Sequence, residues 1–159
     1  MAKRKGKTGP PTIENRRARF DYQITDKVEV GIALVGTEVK ALRAGNASIA
    51  EGYVDVSGDP PQLTLLNATV GEYGPAGAHQ HKLTRGRRLL AKRREIEKLA
   101  RQVDQKGATL VPLRLFFNER GLVKLVIGLG IGRKTHDKRH AIRERQEKRE
   151  MDRAMSRKV

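Results

Sequence analysis

VEVGIALVGTEVKALRAGNASIAEGYVDV, the stretch from Val28 to Val56, predicts a strand, a short helix and a second strand, and this order decides the fold. Apolar residues occupy every second position from Val28 to Leu34, which is typical of a strand that buries one face. The pattern changes to helical spacing over residues 37–44, and strand character returns from Ile49 to Val56. Three elements in so short a segment predict a compact domain built around it.

The helix predicted at about 37–44 carries charge on one side. Glu38 lies in its first turn, where a carboxylate interacts favourably with the positive end of the helix dipole, and we expect its side chain to be exposed. Gly45 ends the helix, since glycine readily adopts the left-handed conformation that follows many helices. Lys40 and Arg43 lie opposite the apolar residues, so the outer face of this helix is predicted to be cationic.

A second amphipathic helix is predicted at about 85–106. Leu89, Ile96 and Leu99 fall within one stripe on a helical wheel, and this stripe would cover part of a sheet. The opposite side is basic and is a candidate binding surface for a polyanion. Its basic residues are Arg87, Arg94, Lys98 and Arg101.

The remaining apolar segments predict further strands joined by turns and hairpins. Alternation from Phe20 to Ile24 predicts a first strand, and apolar runs over 109–117 and 122–129 predict a hairpin. About six strands with two helices, and no repeated strand-helix-strand order, indicate a mainly β protein with helices. We expect residues 13–130 to form a small antiparallel OB-like β-barrel with flanking helices. A half-open sandwich is the alternative.

The net charge of +16 is concentrated in three segments. Residues 1–19, 85–106 and 133–159 each carry a formal charge of +6, whereas the rest of the chain carries −2. This distribution favours a polyanionic partner, most simply a nucleic acid. Aromatic residues make up only 4% of the chain, and proteins that bind single strands usually stack bases on aromatic rings. We therefore expect recognition of the backbone and shape of folded RNA.

Composition also argues against several other classes of protein. The chain has no cysteine, which excludes disulfides and thiolate metal sites. Two histidine pairs, His79 with His81 and His136 with His140, lack a third ligand, so we expect no metal and no cofactor. No nucleophile or paired-acid motif is present, so we expect no enzyme activity. No apolar run follows the basic start or approaches the roughly 18 residues of a membrane span, so we expect a cytoplasmic protein that binds no membrane.

Both ends of the chain are expected to lie outside the barrel. Residues 1–12 are basic and too poor in apolar groups to be ordered alone. Residues 131–159 form a basic C-terminal tail, and neither proline nor glycine follows Gly132. The tail is therefore expected to be disordered alone and helical when bound. Its helical i, i+4 repeat of arginine includes Arg145, Arg149 and Arg153.

Short motifs occur in a fixed order along nearly the whole chain. They are Asn15-Arg16-Arg17-Ala18, Gly36-Thr37-Glu38-Val39-Lys40, Leu42-Arg43-Ala44-Gly45, Arg94-Glu95-Ile96, residues 106–113, Gly128-Leu129 to Lys134, and Asp137-Lys138-Arg139. In this order they resemble the SsrA-binding protein family, the bacterial partner of transfer-messenger RNA in the rescue of stalled ribosomes. The resemblance implies a non-catalytic RNA-binding barrel.

The resemblance also implies roles for individual residues. The barrel would bind the transfer-RNA-like domain of transfer-messenger RNA through Asn15, Arg16, Arg17, Glu38, Lys40 and Arg43. Glu38 would accept hydrogen bonds from RNA or hold a phosphate-binding arginine in place. Elongation factor Tu would be a partner through the shared RNA. The tail would enter the decoding centre and the empty messenger channel of the ribosomal small subunit, using Gly132, Arg133, Lys134, Asp137, Lys138 and Arg139.

Two functions of different classes remain open on the sequence alone. The leading hypothesis is an adaptor that delivers transfer-messenger RNA to stalled ribosomes for trans-translation. The alternative is a structural ribosomal protein or a general RNA-binding protein, which would also be small, basic and tailed. The adaptor should copurify with one small structured RNA, whereas a ribosomal component should be stoichiometric with purified subunits.

Overall fold

The computed structural model describes residues 9–133 and 135–157, which form a mainly antiparallel sheet with flanking helices. The strands are β1 (Ile13–Glu14), β2 (Tyr22–Ile32), β3 (Ala47–Ser48), β4 (Tyr53–Ser57), β5 (Gln62–Leu66), β6 (Thr69–Val70), β7 (Arg87–Leu90), β8 (Thr109–Phe117) and β9 (Val123–Gly132). The helices are α1 (Ala18–Asp21), α2 (Gly36–Arg43), α3 (Arg93–Lys106) and α4 (Thr135–Ser156), with a single 3-10 turn at Gly74–Ala76. The predicted mainly β architecture is confirmed.

Six strands pair in a circuit that returns to its start. β2 pairs with β9, β9 with β8, β8 with β4, β4 with β5, β5 with β7, and β7 with β2. β1 adds to β8, and β3 and β6 form a separate two-stranded sheet. This OB-like arrangement corresponds to the barrel expected for residues 13–130, and β9 extends it to Gly132.

One apolar core fills the space inside this circuit. Leu63, Leu125 and Ile127 are 0% exposed, and they belong to the same cluster as Leu42 of α2 and Leu99 of α3. Burial of each large apolar side chain stabilises the fold by about 1.5 to 3 kcal/mol. The two helices are therefore fixed on the sheet by their apolar sides, and their charged sides face outward.

The sequence locates the first of these helices well and the second only in part. The helix predicted at 37–44 is α2, with bounds within a residue of the prediction. The helix predicted at 85–106 begins only at Arg93, because residues 87–90 form β7. Buried and exposed residues alternate along β7. A strand has this period of two, and a helical wheel, which tests the helical period of 3.6, does not detect it.

β2 is one long strand, whereas the sequence predicts two strands separated by a turn. It runs from Tyr22 to Ile32 and pairs with β9 along most of its length. The register shifts between Ile24 and Asp26, so a bulge falls at Thr25. Asp26 and Lys27, where the sequence predicts a turn, pair with Leu129 and Gly128 of β9. The continuous pairing of β2 with β9 forms the side of the sheet from which the tail leaves.

Gly128 and Gly130 lie inside β9, so this glycine-rich segment is part of the sheet. A Cβ atom at Gly128 would lie 2.8 Å from Cδ1 of Leu113, and one at Gly130 would lie 2.9 Å from Cβ of Tyr22. These separations are shorter than normal contacts, so only glycine permits the neighbouring side chains to pack this closely across the strand. The tail therefore starts after Gly132.

The tail forms α4 in a structure of the protein chain alone. The sequence predicts disorder for the free tail, and the structure differs from this expectation over Thr135–Ser156. Two causes favour the helix: residues after Gly132 include neither proline nor glycine, and His140 Nδ1 lies 3.2 Å from Glu144 Oε1 one turn later. The first turns of α4 also pack near α1.

The N-terminal segment is only partly described. The predicted disorder of residues 1–12 falls largely on residues 1–8, which lie outside the described part of the chain. Residues 9–12 are exposed and belong to no helix or strand. None of the helices in the described ranges combines the length and the hydropathy that crossing a bilayer requires.

Candidate nucleic-acid interface

The carboxylate of Glu38 is buried, and the expectation that it is exposed is wrong. Its side chain is 0% exposed because this side of α2 faces the loop before β7. Oε1 accepts hydrogen bonds from the Val35 N–H at 3.0 Å and from Arg85 Nη2 at 2.5 Å, and Oε2 accepts one from Arg87 Nε. Glu38 therefore ties the start of α2 to two arginines and has no surface to offer to RNA.

Arg87 is the second buried member of this group. It is 0% exposed in β7, so its predicted place on the outer face of a helix is wrong, and it does not line an RNA-binding surface. Its Nη1 donates to the carbonyl oxygens of Ala68 at 3.0 Å and Arg85 at 2.9 Å, and its Nη2 donates to that of Leu83 at 3.2 Å. These bonds fix the loop before β7 against the barrel.

The surroundings of Glu38 keep it ionised. Burial raises the pKa of its carboxyl, but the hydrogen bonds from Arg85, the Val35 N–H and Arg87, together with the charge of Arg87, outweigh burial. The pKa therefore lies below the ordinary value of a glutamate. The ion pair with Arg87 is thus fully charged at neutral pH.

Asn15 is also structural, although it was expected on the RNA-binding surface. It is 6% exposed, and its Nδ2 donates to the carbonyl oxygens of Ile49 at 3.3 Å and Pro112 at 2.9 Å. Its Oδ1 accepts from the Ala18 N–H at 3.1 Å. Asn15 thus joins α1 to two separate parts of the barrel. Its side chain faces inward because these backbone groups need partners when buried.

Polar and cationic groups gather where α2 begins, on a surface that we call the α2 face and define by Thr37, Lys40, His81 and Arg85. They line an open cavity of about 530 Å³. Arg85 is 36% exposed, so its guanidinium is held by Glu38 on one side and reaches solvent on the other. Lys40 Nζ lies 5.2 Å from the centroid of the Tyr73 ring. Two cations beside a helix N-terminus form an arrangement that attracts phosphate.

His81 fixes the long loop over this surface. Its Nε2 lies 2.9 Å from the carbonyl oxygen of Val70 and must donate to it, and its Nδ1 lies 2.8 Å from Thr37 Oγ1. Both ring nitrogens are therefore occupied by protein groups. Within the described residues, no cluster of three or more histidine and carboxylate side chains is placed to hold a metal ion.

The other predicted cations lie on separate surfaces. Arg43 is exposed near the end of α2, with its guanidinium 6.0 Å from the centroid of the Phe117 ring. Arg16 is exposed, and Arg17 pairs with Asp21 and Glu51 at 3.2 Å each. The outer side of α3 is exposed and basic, as predicted: Arg94, Lys98 and Arg101.

The predicted tail residues follow the end of β9. The Arg133 N–H donates to the Asp21 carbonyl oxygen at 3.0 Å, and Lys138 Nζ lies 3.5 Å from Asp21 Oδ1. Lys134 and the side chain of Asp137 lie outside the described part of the chain. Gly132 ends β9, and the other predicted tail residues are exposed along α4: Arg139, Arg145, Arg149 and Arg153.

The sequence does not reveal the role of Arg85 in the α2 face or the contact of His81 with Thr37. Every second position from 85 to 89 is occupied by Arg85, Arg87 and Leu89. This alternation indicates that they belong to an extended segment. The partner of His81, Thr37, lies 44 residues away in the chain, so no local pattern reveals the contact. The structure brings Glu38, Arg85 and His81 together at one end of α2.

Comparisons with known proteins extend over nearly the whole chain. A family model described as SmpB protein matches residues 12–157. An SsrA-binding protein of Maricaulis maris (strain MCS10) is 48% identical over 155 residues, covering 98% of this chain and 97% of the relative. An SsrA-binding protein of Methylobacterium nodulans (strain LMG 21967 / CNCM I-2342 / ORS 2060) is 51% identical over 132 residues, covering 83% of each chain.

A solved structure has a similar fold. It is described as "tmRNA-SmpB: a journey to the center of the bacterial ribosome", and it superimposes with a TM-score of 0.67 at 41% identity. The match covers 84% of this chain and 95% of the solved one. The similarity therefore extends to three dimensions as well as to sequence.

Proposed function

The chain belongs to the SmpB protein family, and from this membership we propose that it is an RNA-binding adaptor in ribosome rescue. The barrel binds the transfer-RNA-like domain of transfer-messenger RNA, and the protein delivers this RNA to stalled ribosomes for trans-translation. The observation that carries the proposal is the family match over residues 12–157, which includes the barrel, the α2 face and the tail.

The α2 face supplies the main RNA contact in this proposal. Lys40 and Arg85 lie beside the first N–H groups of α2, and both are within reach of solvent. A phosphate there would gain charge-assisted hydrogen bonds from the cations and from the helix N-terminus. Glu38 acts through Arg85, because it holds the guanidinium in place and does not itself contact RNA. This is the role of a positioning residue.

Further cations extend the contact along the RNA backbone. Arg16 and Arg43 are exposed on the body, and α3 presents a line of basic side chains. Folded RNA offers phosphates and 2′-hydroxyl groups over a wide surface, and contacts of this kind recognise shape without selecting bases. We therefore infer that these residues position the RNA: Arg16, Arg17, Arg43, Arg94, Lys98 and Arg101.

The tail is proposed to contact the ribosome. α4 contains 22 residues, which as a helix span about 33 Å at 1.5 Å per residue. Its arginines would face the phosphates of small-subunit ribosomal RNA at the decoding centre and in the empty messenger channel. A channel that holds messenger would exclude this helix sterically. Selection of stalled ribosomes then follows without recognition of any base sequence.

The remaining parts of the proposal concern other partners and chemistry. We propose that elongation factor Tu joins the complex by binding the same RNA, that the protein works in the cytoplasm, and that it has no catalytic role. These statements follow from the proposed adaptor function, since an adaptor needs only simultaneous binding of RNA and ribosome.

The direct test is binding of purified protein to the transfer-RNA-like domain at several salt concentrations. Affinity should fall by about 0.7 to 0.9 log units per log unit of salt for each phosphate neutralised. Lys40→Ala with Arg85→Ala should weaken binding and reduce this slope by about one for each lost contact. Arg120→Ala, an exposed cation in the β8–β9 turn, is the matched control. A flat salt dependence, or equal effects of control and test variants, would contradict the proposed interface.

A further inference from the structure

A second basic cavity lies between the barrel and the tail helix. It has a volume of about 570 Å³ and is lined by five cations and one carboxylate. We call it the five-cation cavity and define it by Arg16, Arg19, Lys27, Arg114 and Arg145, with Glu14 as the carboxylate. Four of these cations belong to the body, and Arg145 comes from α4.

Within the part of the chain that the structure describes, the cations that line this cavity outnumber the carboxylates that line it. In the described ranges, none of the five lies within the 4.0 Å ion-pair distance of a carboxylate. Other cations nearby are paired: Arg17 bridges Asp21 and Glu51, and Lys98 lies 3.9 Å from Asp26. One glutamate against five cations leaves a local excess of positive charge. Such an excess disfavours a docked tail unless an anion enters.

The start of the tail is nevertheless held to the barrel. Asp21 accepts from the Arg133 N–H through its carbonyl oxygen and faces Lys138 through its carboxylate, at 3.0 and 3.5 Å. Lys138 and Arg145 are seven residues apart, which places them on one face of α4, and Ala141 between them is half-buried. This face is turned toward the body. The two contacts of Asp21 with the start of the tail therefore place Arg145 at the cavity.

We propose that the five-cation cavity binds phosphates of an RNA backbone, and that the bound RNA holds the tail helix against the barrel. The inference rests on the proposed function, which makes RNA the partner. Arginine side chains present planar sets of N–H donors that match phosphate oxygens, so one backbone segment can contact Arg114 and Arg145 together. Without RNA, the excess charge favours release of the tail; with RNA, the same charges become attractive. The site is separate from the α2 face, with which it shares no lining residue.

The test uses the distance between the body and the tail in the full-length chain. The protein has no cysteine, so Ser57→Cys on the body and Gln146→Cys on α4 can carry two spin labels without background. Both positions are exposed and uncharged, so labelling leaves the charges of the cavity intact. Distance distributions are measured by pulsed electron paramagnetic resonance with no added anion, with inorganic phosphate and with a short RNA hairpin.

The expected result is a broad distribution without anion and a narrow one with the RNA hairpin. Arg145→Gln should abolish the narrowing, and so should Arg114→Gln on the opposite wall. Lys148→Gln also removes one positive charge about one turn further along α4, outside the cavity, and should leave the narrowing intact. The double variant Arg114→Gln with Arg145→Gln should lower RNA affinity by much less than the product of the two single fold-losses. The reason is that either substitution alone already releases the tail helix from the barrel.

Three results would overturn the inference. A distance distribution that bound RNA leaves unchanged would show that RNA does not hold the tail helix against the barrel. Equal loss of narrowing in the Lys148→Gln control would show that only total charge matters. Narrowing by inorganic phosphate alone would assign the cavity to a free anion instead of RNA. RNA binding is measured on the same samples: if the hairpin binds and the tail does not respond, only this inference fails, whereas failure to bind any RNA contradicts the proposed function as well.

Discussion

Glu38 and Arg87 form an ion pair that is closed to solvent, with side-chain exposures of 0% and 1%. The pair joins the first turn of α2 to β7, and Arg85 adds a second guanidinium that does reach solvent. The same carboxylate thus stabilises the fold and positions a surface cation. Under the proposed function, this residue of a family motif would support RNA binding through Arg85 without touching RNA.

Replacing Glu38 should destabilise the protein. Glu38→Ala leaves the charge of Arg87 buried without a partner, which typically lowers the free energy of unfolding by about 3 to 5 kcal/mol. Urea denaturation followed by circular dichroism measures the change, with Glu29→Ala on the exposed face of β2 as the control. An unchanged midpoint with weakened RNA binding would mean that Glu38 contacts RNA directly.

Arg85 and Arg87 should behave differently when truncated. Arg85→Ala removes a half-exposed cation, so we expect weaker RNA binding with less than about 1 kcal/mol of lost stability. Arg87→Ala leaves Glu38 as an unpaired buried charge and should destabilise the protein by about 3 to 5 kcal/mol. Binding and unfolding are measured on both variants. The same stability for both variants would contradict the division of roles between them.

Stability should depend on pH through Glu38. Because the folded protein lowers the pKa of this carboxyl, the stabilisation is present above the unfolded value of about 4.3 and is lost as the pH falls through the folded pKa. Unfolding midpoints between pH 7 and pH 3 should therefore decrease more steeply for the wild type than for Glu38→Gln. Parallel pH profiles would show that this carboxyl contributes nothing to acid sensitivity.

Helix formation in the tail can be separated from its charge. Ala141→Pro removes a helical hydrogen bond and destabilises the interior of α4 by about 3 kcal/mol, while every charge remains. Trans-translation on stalled ribosomes should fall sharply, with binding to the isolated transfer-RNA-like domain within a few-fold of wild type. Ala141→Ser, which is tolerated in helices, is the control. Full activity of the proline variant would indicate an extended polycation.

The sequence predicts the architecture better than the orientation of side chains. Alternation in the segment from Val28 to Leu34 and helical spacing in α2 report which face is buried, and these local patterns locate both elements. The sequence places Glu38 on the surface as a partner of the helix dipole, and the family resemblance places Asn15 on the RNA-binding surface. Their burial depends on partners far along the chain, including Arg87 and Pro112, and no local pattern encodes such pairs.

β7 and α4 show two further limits of local patterns. The sequence includes residues 87–90 in the following helix, because Leu89 also fits its apolar stripe. Only pairing with β5 and β2 fixes these residues as a strand. The tail has helix-forming residues but few apolar ones, so its sequence does not reveal the tether between Asp21 and Lys138. Charge clustering is a dependable signal of exposure, since α3 exposes Arg94, Lys98 and Arg101 and α4 exposes its predicted arginines.

The most direct test of the adaptor function is to identify the RNA that copurifies with the full-length protein. Tagged wild type, Lys40→Ala with Arg85→Ala, and the Arg120→Ala control are isolated from bacterial cells that produce transfer-messenger RNA, and the bound RNA is sequenced and quantified. The account predicts that transfer-messenger RNA dominates with wild type and control and is strongly depleted with the double variant. Recovery of ribosomal RNA in proportion to intact subunits, with no enrichment of transfer-messenger RNA, would contradict the account and indicate a structural ribosomal protein.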